Sequence, residues 1–84
     1  MMKKLACVMW MALSASTFAA TPMDDAVTEL QREWEVVHYQ VPAADKLSRW
    51  ESLAAKAHAV SAQFPTYSEP LIWEGIIVST WAGD

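Results

Sequence analysis

His38 and His58 are the two histidines of the chain, and an imidazole can ligate a metal ion or carry a proton near neutral pH. Either role needs partners at a defined spacing. Neither histidine stands three or four residues from the other or inside a His-Glu-x-x-His frame, so paired ligation on one helical face is not available. His38 is near Glu35 and His58 is beside a run of small residues, the setting of ordinary surface or interface histidines. Carboxylates do come in helical pairs, Glu29 with Glu33 and Asp25 with Glu29, a spacing that puts a general acid and a general base on one face. The solvated side of an amphipathic helix shows the same spacing, and three short helices supply little cleft for a reaction. Ser48, Ser52 and Ser61 fall within helical stretches, not on a strained elbow, and no glycine-rich phosphate loop accompanies them. The reading is of a chain with no catalytic residue, no cofactor and no metal site, hence not an enzyme.

The remaining soft ligands sit at the front. Four of the five methionines and the lone cysteine, Cys7, precede residue 20. This front part has the layout of a secretory signal peptide: a basic start at Lys3 and Lys4, an apolar run from Leu5 to Ser14, and small residues around Thr17 and Ala19. The expected signal peptide is 1–19, with cleavage after Ala19. An apolar run of about ten residues is too short to cross a bilayer, which takes ~20. Cys7 lacks the preceding apolar run of a lipid-attachment site. A chain from residue 20 onward has no cysteine, which suits a periplasmic protein without disulfides. It keeps four basic residues against ten acidic ones, a net charge of −6. Nucleic acid and anionic membrane surfaces are therefore poor partners, since both are bound chiefly through cationic side chains.

Three amphipathic or apolar segments follow, predicted as helices over about 23–40, 43–64 and 69–82. Thr21, Pro22 and Asp24 form a start signal, with a capping hydroxyl, a proline in the first turn and a carboxylate three residues after the cap. Val27, Leu30, Trp34, Val37 and Val41 then make one stripe. Val41-Pro42 ends it, because the residue before proline leaves helical geometry. In the second segment Leu47, Trp50, Leu53, Ala54, Ala57, Val60, Ser61 and Phe64 share a face. Pro65 punctuates the turn. In the third, Ser68 is the expected cap, Pro70 falls in the first turn, and Leu71, Ile72, Trp73, Ile76, Ile77, Val78 and Trp81 crowd almost every side. Ile76 to Trp81 alone would pass for a strand, but no second strand exists to pair with it. Gly75 in mid-helix costs ~1 kcal/mol against alanine, for which close helix packing is the expected reason.

These residues resemble a tetratricopeptide-repeat junction. In that family a proline closes one helical hairpin and a small residue follows ten positions later, the spacing of Pro65 and Gly75. Leu71 and Val78 would take the large and aromatic positions of the junction, so Pro65, Leu71, Gly75 and Val78 are the expected junction-packing residues. Leu53 and Ala57 match the family's alanine and aromatic places poorly, and Glu74 stands where leucine is usual. The wider wording, EPLIWEGIIVSTWAGD, is similar to the opening part of exported bacterial proteins of this kind.

The resemblance implies an all-α antiparallel helix array of tetratricopeptide-like type over residues 20–84. An apolar helix with only two others to cover it, and turn chemistry at Gly83-Asp84, lead to the expectation that this is the N-terminal part of a longer solenoid. Trp73 and Trp81, eight apart, share a face while Ile76 and Ile77 point elsewhere, so Trp73, Ile77 and Trp81 are the candidate interface. The expected function is a non-catalytic periplasmic interaction scaffold for a protein or peptide. Two alternatives stay open: a small helical ligand-binding protein serving a solute transporter, with a tryptophan-lined pocket, and a truncated product with no function of its own.

Overall fold

A computed structural model describes residues 20–84; the signal peptide expected over 1–19 lies outside the described residues. The described chain is all helical: α1 spans Pro22–Tyr39, α2 Ala43–Gln63 and α3 Glu69–Gly83. Each start and stop has a local cause. Thr21 caps α1 in a reciprocal box, its Oγ1 accepting from Asp24 N–H at 3.2 Å and its own N–H donating to Asp24 Oδ2 at 3.2 Å. Two orphan amide groups are thereby satisfied, and the carboxylate faces the positive end of the helix dipole. At the other end the Gln40 and Val41 amides both donate to Val36 O, and Pro42 prevents a further turn.

α2 begins at once after Pro42 and ends at Gln63; the capping Phe64, which precedes Pro65, has left helical geometry. α3 starts differently from expectation. Ser68 is itself in helical conformation and its hydroxyl makes no cap bond, donating instead to Glu69 Oε1 at 3.3 Å. A cap side chain reaches the free amides only from an extended backbone, so Ser68 contributes its carbonyl, which accepts from Ile72 N–H at 3.0 Å.

α2 is the central element, with α1 and α3 both packed on it and a smaller contact between α1 and α3. The core is Leu30 and Val37 from α1, Trp50, Leu53, Ala57 and Val60 from α2, and Ile77 from α3. Met23 and Val27 are buried at the α1 start. Burying each large apolar side chain contributes about 1.5–3 kcal/mol. Leu47, assigned to the apolar face of α2, is 67% exposed. It lies one turn before Trp50, at the start of the helix, on the margin of the α3 contact.

Candidate functional site

α3 has two faces of similar composition and different surroundings. Pro70, Trp73, Ile77, Thr80, Trp81 and Asp84 recur at steps of three and four, and this stripe faces α1 and α2. Ile77 is fully buried, and Trp73 and Trp81 pack against the core around it. This is where the expected interface of Trp73, Ile77 and Trp81 lies. Ile77 does not point away from the tryptophans: it lies four residues from each, between them, and the three form the inward face.

Polar groups fix that orientation. Trp34 Nε1 of α1 donates to Thr80 Oγ1 at 3.0 Å, and the same hydroxyl donates to Ile76 O at 2.7 Å. Trp50 Nε1 of α2 donates to Asp84 Oδ2 at 2.9 Å, and Lys46 Nζ bridges Asp84 Oδ2 at 3.0 Å and His38 O at 2.9 Å. One carboxylate at the end of α3 is therefore tied to α2 directly and to α1 through the ammonium. The Trp50 hydrogen bond first, and the Lys46 pair second, hold the Asp84 carboxyl below its usual range. His38 is stacked on Trp34, ring centroids 5.3 Å apart, with Tyr39 edge-on at 4.5 Å. Trp73 meets Trp34 edge-on at 6.1 Å. From the sequence, Asp84 reads as turn chemistry with Gly83 and Thr80 has no assigned role, although both continue the stripe of Trp73 and Ile77 at helical spacing.

Two of the carboxylates singled out for acid–base chemistry, Glu29 and Glu33, are engaged. Lys56 Nζ reaches Glu29 Oε1 at 2.6 Å and Glu33 Oε1 at 2.7 Å, spanning from α2 to α1. Its hydrogen bond lowers the Glu29 pKa, and the two glutamates raise that of Lys56. Lys56, Glu29 and Glu33 thus form a surface ion cluster that links α2 to α1. His58 Nδ1 lies 2.9 Å from Glu74 Oε2, joining α2 to α3. The Glu74 carboxyl is held low by the adjacent Ser61 hydroxyl first and by His58 second, although Ser61 Oγ, buried, makes no well-formed hydrogen bond. Among the described residues no three histidine, cysteine, aspartate or glutamate side chains converge as a metal site.

The outward face of α3 carries the residues expected to pack at a repeat junction. Leu71 is 58%, Ile72 56% and Val78 46% exposed. No atom lies within 4 Å of where a Cβ on Gly75 would stand, so no close helix approach within residues 20–84 accounts for that glycine. Pro65 is exposed in the turn. Leu71, Gly75 and Val78 are exposed on the side of α3 opposite the one that the Trp34 and Trp50 hydrogen bonds turn inward.

Among the described residues, concavities lie on either side of α2. One, of about 380 Å³, lies between the start of α2 and the end of α3, lined by Ala43, Lys46, Leu47, Trp50, Trp81 and Asp84. Another, of about 300 Å³, lies between α1 and α2, with Glu33, Arg49, Ser52 and Lys56 at its walls. Among the described residues no helix is long and apolar enough to cross a membrane. No known family, curated protein or solved structure matches the chain.

Proposed function

We propose that this chain is a non-catalytic, tetratricopeptide-like helical interaction module, exported to the periplasm, whose partner is a protein or peptide. The observation that supports it is the half-covered state of α3: one apolar face fills the core while Leu71, Ile72 and Val78 stand in solvent on the other. Contiguous exposed apolar surface of this kind marks interaction sites more often than scattered residues do. The engaged state of Glu29, Glu33 and Lys56 supports a chain without catalytic machinery.

Photo-crosslinking in a bacterium producing the full chain tests this. A crosslinker at Leu71 or Val78 is expected to trap a protein of discrete mass, and one at Glu51 on the polar side of α2 is not. No adduct from either α3 position sinks the interaction reading. Retention of residues 1–19 with the chain in the cytoplasm sinks export.

The second reading, a small-ligand protein serving a solute transporter, is favoured by the concavity of about 380 Å³ beside Trp50 and Trp81. That volume lies at the lower end of ligand pockets, which run from about 300 to 1,000 Å³. Small acids and short peptides titrated against tryptophan fluorescence test it, a saturable change being the expected result.

A further inference from the structure

We infer that the outward face of α3 is a shallow groove for one helix of a cationic amphipathic partner. The shape comes from four positions on one side of the helix. Gly75 and Ala82, seven residues apart, form the floor, with Leu71 and Val78 as one wall and Ile72 as the other. Space above the floor is open, since nothing approaches a Cβ at Gly75. A glycine there weakens an exposed helix and serves no contact inside the described fold, whereas a helix laid in the groove needs it small.

The sign of the partner follows from charge. From residue 57 to residue 84 there is no lysine or arginine; the carboxylates are Glu69, Glu74, which pairs with His58, and Asp84, which Lys46 and Trp50 hold. Glu69 and Glu74 flank the groove on opposite edges, by their positions around the helix. Residues 20–84 together carry net charge −6, which steers cations toward every face. A second copy of the chain would lay the same carboxylates against these with no lysine or arginine in the groove to meet them, and like-charge contacts are unfavourable. Area points the same way. A fifteen-residue helix is about 22 Å long, and one face of it falls below the ~800 Å² per partner of a stable protein pair. A single helix docked in a groove requires less. An anionic lipid surface is repelled by the same charges.

This rests on the interaction reading and fails separately from it. The probe is an eighteen-residue helical peptide of leucine and lysine with leucines on one stripe. Its controls are the glutamate–leucine counterpart and a lysine–serine peptide. Binding to the full 84-residue chain is followed by backbone chemical shifts, which also report the fold. The lysine–leucine peptide is expected to shift residues 71–82 and to weaken with salt. Gly75→Leu is expected to reduce affinity about tenfold with the helices intact, because it fills the groove from a position where a Cβ meets open space. Glu69→Gln with Glu74→Gln is expected to reduce it about threefold. Equal binding of the glutamate–leucine peptide overturns the charge assignment and leaves the interaction reading standing. Shifts elsewhere, unchanged affinity in Gly75→Leu, or a dimer of the chain that the peptide dissociates overturns the groove.

Discussion

Ile77 and Val78 are neighbours in sequence and both are branched apolar residues, yet the first is fully buried and the second 46% exposed. α1 offers no such contrast, because its polar and apolar residues are already sorted by side. There Met23, Val27, Leu30 and Val37 are buried while Glu29 and Glu35 lie outside. Amphipathicity already orients a helix like α1. α3 is apolar all round, so turning it about its axis would change little in buried apolar area. Hydrogen bonds from Trp34 to Thr80 and from Trp50 to Asp84 select one rotation. An unsatisfied buried indole N–H costs about 1–3 kcal/mol, enough to decide between otherwise similar packings.

The largest effect expected from this contrast is that of Ile77→Ala, a loss of about 2–4 kcal/mol read from urea unfolding by circular dichroism. A loss below about 1 kcal/mol would mean that α3 is not rotated as described. Trp34→Phe removes the bond to Thr80 while keeping most of the ring, with an expected loss of about 1 kcal/mol. Combined with Thr80→Val, the two changes should be less than additive, and full additivity would separate the groups. In the opposite direction, Gly75→Ala should stabilise the chain by about 0.5–1 kcal/mol, since the added methyl meets open space in a helix interior. A destabilised variant would reveal a contact at that face.

Acid acts at the edges between the two faces. The carboxyls of Glu29, Glu74 and Asp84 are all lowered in the folded chain by hydrogen bonds to partners on another helix. A lowered folded-state pKa means that the stabilisation is fully present above the unfolded values of about 4 and is lost as pH falls through the folded ones. Unfolding midpoints should therefore be insensitive to these groups above about pH 5 and decline below about pH 4. Stability that rose on acidification through this window would contradict the assigned partners. The smallest effect belongs to Val78→Ser, expected within about 0.5 kcal/mol of the parent. A large loss there would erase the difference between the faces.

The all-helical class was legible because α1 and α2 state it twice, in periodicity and in their stops. The Thr21–Asp24 box and the prolines at 42 and 65 carry that information locally, within a few residues of chain. The rotation of α3 was not legible in its apolar residues, which look alike from every side. The signal lay in Thr80 and Asp84, polar residues in register with Trp73 and Ile77, whose partners are 46 and 34 residues away in sequence. Leu47 misled for a related reason: periodicity assigns a face but does not say how far along the helix its neighbour extends. Gly75 misled because its cost pointed to a close contact, and none is present within residues 20–84.

The inward turn of the tryptophans has an optical consequence. Trp34, Trp50, Trp73 and Trp81 all lie on the side of the molecule where the helices meet, and Trp34 and Trp73 are close enough to exchange excitation. These four indoles of residues 20–84 thus watch the interior and the concavity at Trp81, while the strip from Leu71 to Ala82 contains none on its outward side. A partner settling on that strip leaves emission nearly unchanged, and a quenched or shifted spectrum instead marks an occupant beside Trp81 or a loosening of the helices.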